Sequence, residues 1–242
     1  MMTLSLKVKW LMLLKIYLNK EEDKMTKSLA MISGGLDSIL AAKLIKEQGI
    51  DVLGICFRSY FFNEQSAIKM AKQIDIPLLV VDFSPEHLEL VKNPKHGRGK
   101  NMNPCIDCHA MMMNYAGKLL EEHNADFIIT GEVLNQRPMS QNRQALNIVK
   151  KESGFSNKIL RPLCAKNIEP TEMELNGLVD REKLLDISGR SRKTSKFIKH
   201  YTNAEKKQVK PKYKQGSGCG SCVHYCNINR CLCRNKALSY VP

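Results

Sequence analysis

The chain has 242 residues, of which 43% are hydrophobic. That suits one domain, or one domain with appendages, and sets aside a chain too polar to bury a core. Lys and Arg number 38 against 24 Asp and Glu, a formal net charge of +14, which points to a polyanionic partner such as nucleic acid; a solvated basic surface is the plainer alternative.

The first apolar run, residues 10–18, follows Lys7 and Lys9 and is broken by Lys15. It is too short to span a membrane and has no small-residue cleavage site. Residues 1–24 read as an extension, with Met25 the expected start, and the chain reads as cytoplasmic with no membrane contact.

From there the periodicity alternates. Residues 28–32 read as a buried strand, 37–47 as a helix ending before Gly49, 51–57 as a strand, 63–74 as a helix and 77–83 as a strand. Residues 93–104 form a Lys-, Gly- and Asn-rich loop, 106–123 a long helix and 126–130 a further strand. This order predicts an α/β fold with a doubly wound parallel sheet of about five strands. The loops after Ile32, Phe83 and Thr130 should then share one rim, at the carboxyl ends of the strands, where such sheets bind ligands. Beyond Thr130 the pattern loosens. Residues 161–166 are expected to close another strand, and residues 172–185 to be helical with an interruption at Gly177. The domain is expected over residues 25–200, with an irregular, basic, Cys-rich tail over 201–242.

Ser33-Gly-Gly-Leu-Asp-Ser38 follows a strand and opens a helix. Gly34 and Gly35 allow a close backbone approach to an anion, and the helix start supplies N–H groups and a positive dipole end. Ser33 and Ser38 add hydroxyls, and Asp37 is a candidate ligand for Mg²⁺. The Lys of a Walker A loop is absent.

These residues resemble the signature of the PP-loop ATP pyrophosphatases, the adenine nucleotide alpha hydrolase superfamily of HUP-like fold. The resemblance implies that Ser33, Gly34, Gly35, Leu36, Asp37 and Ser38 hold the pyrophosphate part of ATP, which is cleaved between the α and β phosphates as AMP passes to a substrate oxygen. Thr130-Gly-Glu132 looks like the family's Thr-Gly-His segment near the nucleotide, placing Thr130 and Gly131 there, while Glu132 departs from it.

Nine cysteines, clustered and odd in number, point to metal or redox chemistry. Asn103-Pro-Cys-Ile-Asp-Cys108 places two of them where a loop enters a helix, a position that favours thiolate. Cys164 is expected to end a later strand and to lie at the same rim. The Asn-Pro-Cys stretch resembles that of the MnmA-type 2-thiouridylases, and thiolation enzymes of the superfamily pair a C-x-x-C with one later Cys. Cys105, Cys108 and Cys164 therefore have three open readings: ligands of a [4Fe–4S] cluster, a redox pair or persulfide relay, or a zinc or inert structural role. Met111, Met112 and Met113 read as helix packing and Cys56 as core. Cys219, Cys222, Cys226, Cys231 and Cys233 match no ligand spacing that decides between metal binding and none.

Arg190, Arg192 and Lys193, with His96, Arg98 and Lys100, are candidate contacts for phosphate of ATP or RNA. The resemblance implies an ATP- and Mg²⁺-dependent tRNA sulfurtransferase of thiouridylase (MnmA/ThiI) type. Asp37, Cys105, Cys108 and Cys164 would be its catalytic groups, tRNA its substrate and sulfide or a persulfide-carrying desulfurase its sulfur donor, with a homodimer left open. The alternatives are another PP-loop ligase or small-molecule sulfur transferase, such as a deazaguanine nitrile synthase, and a non-catalytic nucleotide-binding module.

Overall fold

A computed structural model describes residues 25–99 and 103–190. Residues 1–24, the tail with its five cysteines, Lys100, Arg192 and Lys193 lie outside the described residues.

Five short apolar runs form one sheet: β1 (Lys27–Met31), β2 (Asp51–Arg58), β3 (Leu78–Asp82), β4 (Phe127–Ile129) and β5 (Ile159–Leu160). Their order is β3-β2-β1-β4-β5, and every pairing is parallel. Ala30 lies opposite Gly54 on one side and Ile129 on the other. The winding reverses between β1 and β4, which makes the carboxyl ends of those two strands the natural crevice of the sheet.

Helices cover both faces because alternate strand residues point to opposite sides. Ala30, Ile32, Cys56, Phe127 and Ile129 meet Ile39, Leu40 and Leu44 of α1 (Leu36–Lys46) and Ala67 and Ala71 of α2 (Gln65–Gln73). Leu29, Ile55, Phe57 and Ile128 meet Met112, Met113, Ala116 and Leu120 of α4 (Cys105–Glu122) and Val149 of α5 (Arg143–Glu152). Met111 packs against the same cluster and Cys56 lies in the first, its thiol pushed up to about 12 by burial and then by Glu64.

Three elements depart from the sequence expectation. Helix α3 (Ser84–Lys92) starts at once after β3, with Pro85 in its first turn, so no open loop follows Phe83. Residues 161–166 follow β5 rather than belong to it. The helix expected over 172–185 is only α6 (Glu172–Leu175): Gly177 adopts φ +73, and the chain leaves the helical path there. Among the described residues no helix is long and apolar enough to cross a membrane.

Candidate active site at the strand switch point

The loop between β1 and α1 is a compact backbone cradle. Gly34 has φ +78, and an added Cβ would lie 2.6 Å from Cβ of Ser66, so both conformation and space require glycine. The Ser38 hydroxyl donates to the Gly35 carbonyl at 2.8 Å and accepts from the Ser33 amide at 3.3 Å. Gly35 is the N-cap of α1 and no side chain caps the helix. The first-turn N–H groups thus point into the cradle with the positive end of the helix dipole behind them, an arrangement suited to an anion.

The loop after β4 closes against this cradle. A Cβ on Gly131 would meet the Ser38 amide nitrogen at 2.5 Å and the Asp37 carbonyl carbon at 2.7 Å, so the two loops touch backbone to backbone. The Thr130 hydroxyl accepts from the Glu132 amide at 3.3 Å. Gln136, buried in the same loop, donates to Asp37 Oδ2 at 3.1 Å and so orients that carboxylate.

Glu132 is 4% exposed and fully engaged. Its Oε1 lies 2.8 Å from His109 Nδ1, and its Oε2 accepts from Arg161 Nε at 2.9 Å. Burial alone would raise the carboxyl; the Arg161 charge and the His109 contact overcome it and hold the group down at about 2. Glu132 is therefore a carboxylate throughout the physiological range. Arg161 also reaches the Leu146 carbonyl of α5 at 3.4 Å.

The three thiols differ sharply. Cys105, at the first position of α4, is half-buried, whereas Cys108 and Cys164 are buried. Cys108 Sγ sits 2.8 Å from Nε2 of His87, itself stacked on Phe83 and flanked by Phe61 and Phe62. Burial pushes the Cys108 thiol well up, and pulls His87 down to about 4, so the pair is a neutral thiol and a neutral imidazole. The expectation of a thiolate at Cys108 is corrected accordingly: desolvation outweighs the helix dipole one turn into α4. Cys164 donates to the Glu132 carbonyl at 3.5 Å; burial pushes its thiol up to about 11, while the Leu134 backbone and Arg161 work the other way.

Among the described residues no three Cys, His, Asp or Glu side chains are arranged to hold a metal ion. The thiolates that a [4Fe–4S] cluster would take from Cys108 and Cys164 are disfavoured by burial, which pushes both thiols up.

Of the basic candidates, Arg98 donates through Nη2 to the Val91 and Lys92 carbonyls and so finishes α3. His96 is tied to Asp107 through both its amide and Nδ1, which pins the preceding loop beside Cys108. Arg190 is exposed, next to Gly189, whose amide reaches the Leu134 carbonyl at 2.8 Å. The sequence carries no local signal for His87, Gln136 or Arg161; His109 is one helical turn after Cys105, the single spacing that marks it.

A doubly wound α/β domain with a glycine-rich cradle at its switch point, facing a buried carboxylate and flanking thiols, is the class that fold and site define. Residues 24–172 match the family model of the thiamine biosynthesis protein ThiI, and the chain belongs to that family. It is 35% identical over 119 residues to a tRNA-specific 2-thiouridylase MnmA of Clostridium acetobutylicum, covering 41% of this chain and 34% of that protein. It is 31% identical over 150 residues to a probable tRNA sulfurtransferase of Finegoldia magna, covering 58% and 36%. Among solved structures it is similar to a 4-thiouridine synthetase in complex with RNA and bound ATP (25% identity, TM-score 0.45, 57% of this chain and 36% of that one). The chain spans about a third of the length of these curated relatives.

Proposed function

We propose that this chain carries out ATP-dependent thiolation of a uridine in tRNA. The observation that carries the reading is the contact of Gly131 with the Asp37–Ser38 backbone. It sets the anion cradle beside a residue, Glu132, whose carboxylate and carbonyl touch the Cys105 helix and Cys164. The similarity to a 2-thiouridylase and a probable tRNA sulfurtransferase supports the same chemistry.

The β and γ phosphates of ATP would lie on the N–H groups of residues 33–38, with the Ser33 and Ser38 hydroxyls beside them and Thr130 and Gly131 flanking the nucleotide. Asp37 would hold Mg²⁺, which neutralises charge on the departing pyrophosphate. The uridine carbonyl oxygen attacks the α phosphorus, the bond to pyrophosphate breaks, and the N3 proton leaves to solvent. A sulfur nucleophile then adds to the activated carbon, and AMP departs with the original oxygen. Sulfide from solution completes the exchange in one step. A persulfide on Cys105, the thiol least buried of the three, transfers its outer sulfur; a second thiol, Cys108 or Cys164, must then attack the Cys105 sulfur, release the thionucleoside and form a disulfide that an external dithiol reduces.

Incubating the full chain with ATP, Mg²⁺, sulfide and bulk tRNA, then assaying pyrophosphate and digesting the tRNA for mass analysis of nucleosides, tests this. A thiouridine whose yield tracks pyrophosphate is expected. Hydrolysis of ATP to ADP, or pyrophosphate without a thiolated nucleoside under any sulfur supply, overturns it.

A further inference from the structure

Glu132 contacts both thiol-bearing segments. Its carboxylate accepts from Arg161 just beyond β5 and meets His109 on α4, while its own carbonyl receives the Cys164 thiol. His109 follows Cys105 by four residues, so the two share a face of α4 across one turn. The residue immediately before it, Gly131, is packed on the phosphate-loop backbone. Such an arrangement carries a cost that core packing does not require. Two charged groups, each about 4% exposed, are taken out of water, where a pair of apolar side chains would serve stability as well or better.

We propose that Glu132 is a positioning residue for the sulfur step: by holding His109 and Arg161 at once, it fixes the Cys105 turn and Cys164 against the loop that abuts the phosphate cradle. This rests on the thiolation reading and adds to it a residue that acts through others. Glu132 touches neither phosphate nor sulfur donor. It sets the distance between where the base is activated and where sulfur is presented. Replacing Glu132 by Gln keeps the shape but turns one oxygen into a donor. That donor must then face either the Arg161 Nε–H or the His109 ring, and Arg161 is left buried without a counter-charge. The bracket opens while Gly131 and the cradle stay in place. Activation of the base and delivery of sulfur therefore come apart.

The test compares wild type, Glu132→Gln, His109→Gln and the double variant as full chains. Two quantities are measured: thiouridine formed per pyrophosphate released with ATP, Mg²⁺, sulfide and tRNA, and the alkylation rate of Cys164 read by peptide mass. Glu132→Gln is expected to lower the ratio by about tenfold or more, since ångström-scale misplacement costs that much, with the KM for ATP within about twofold of wild type. Alkylation of Cys164 should rise by about tenfold as its shield opens locally. His109→Gln, which leaves Arg161 paired, should move both quantities the same way, and the double variant should be no worse than Glu132→Gln alone. A merely structural role predicts proportional loss of pyrophosphate and thiouridine with the ratio unchanged, or additive losses in the double variant; either overturns the proposal. If wild type forms no thiouridine, the thiolation reading fails, and Cys164 alkylation still decides the bracket: protection equal in wild type and Glu132→Gln overturns it too.

Discussion

At position 131 an added methyl group would lie 2.5–2.7 Å from three backbone atoms of Asp37 and Ser38. Backbone cannot rotate away as a flexible side chain can, so Gly131→Ala must push the phosphate loop off the strand edge. The expected result is a loss of ATP affinity of about tenfold or more with a stability loss of about 1–3 kcal/mol, read by titration calorimetry and by thermal melting; unchanged ATP affinity would show that the two loops are not coupled. Two buried titratable groups give a separate, pH-dependent reading. Burial pulls His87 from 6.5 to about 4, so the unfolded chain takes up that proton first and stability is lost as pH falls between those values. Glu132 is held at about 2 against 4.5, so its contribution is intact above 4.5 and is lost as pH falls toward 2. Denaturant midpoints measured from pH 7 to pH 2 should therefore show a loss in two stages. His87→Gln should flatten the upper stage, worth on the order of 3 kcal/mol, and Glu132→Gln the lower. A variant that flattens neither stage, or the wrong one, refutes its assignment.

At the scale of elements, α1 starts without a side-chain cap, although Gly35 is in an extended conformation that Asp adopts readily and an added Cβ there meets nothing closer than 3.4 Å. Gly35→Asp should cap the helix and raise stability by a few tenths of a kcal/mol, while its carboxylate occupies the amides that would receive phosphate and lowers ATP affinity by about tenfold or more. A melting temperature that rises with ATP binding retained would contradict the assignment of this helix start to the nucleotide. The same elements show what a sequence displays and what it hides. The apolar runs of β1, β2 and β4, and the cradle between β1 and α1, are legible because each is written in consecutive residues. Helix α3 is not, because only Ser84 and His87 of it are buried and no apolar stripe marks it. Helix α5 has a readable pattern in Ala145, Leu146 and Val149 and a cap in Asn142, whose Oδ1 accepts from Ala145, but it lies where the preceding loop masks its start. Residues 172–185 carry apolar side chains at helical spacing, yet the left-handed Gly177 ends the helix, and Leu175 is left 73% exposed. Within the site, Ser33–Ser38 and Thr130–Gly131 are local motifs. The Glu132 partners lie 23 and 29 residues away in sequence, a distance over which no spacing rule operates.

For the molecule as a whole, the formal surplus of 14 positive charges lies outside residues 25–99 and 103–190, in which 20 Lys and Arg balance 20 Asp and Glu, so a polyanion would meet the described domain at a local basic face. Helix α5 presents one candidate face. Arg143, Asn147 and Lys151 recur every four residues along it and, with Gln144 and Ile148, line a shallow depression of about 510 Å³. The helix begins just beyond the loop that carries Glu132 and Gln136, and Arg143 Nη2 donates to the Asn167 carbonyl three residues past Cys164. An RNA backbone laid along α5 would therefore run toward the rim where the thiols sit. Its binding would be governed by counterion release, with each neutralised phosphate adding about 0.7 to 0.9 to the slope of log affinity against log salt. Arg143→Ala and Lys151→Ala, each measured with bulk tRNA between about 50 and 200 mM salt, should weaken binding several-fold at the low end and reduce the slope by roughly one unit apiece. ATP affinity should be unchanged, because the depression these side chains line includes no residue of the cradle. A slope equal to wild type in both variants would place the RNA on another face, and a loss of ATP affinity would mean that α5 supports the site through packing rather than by holding phosphate.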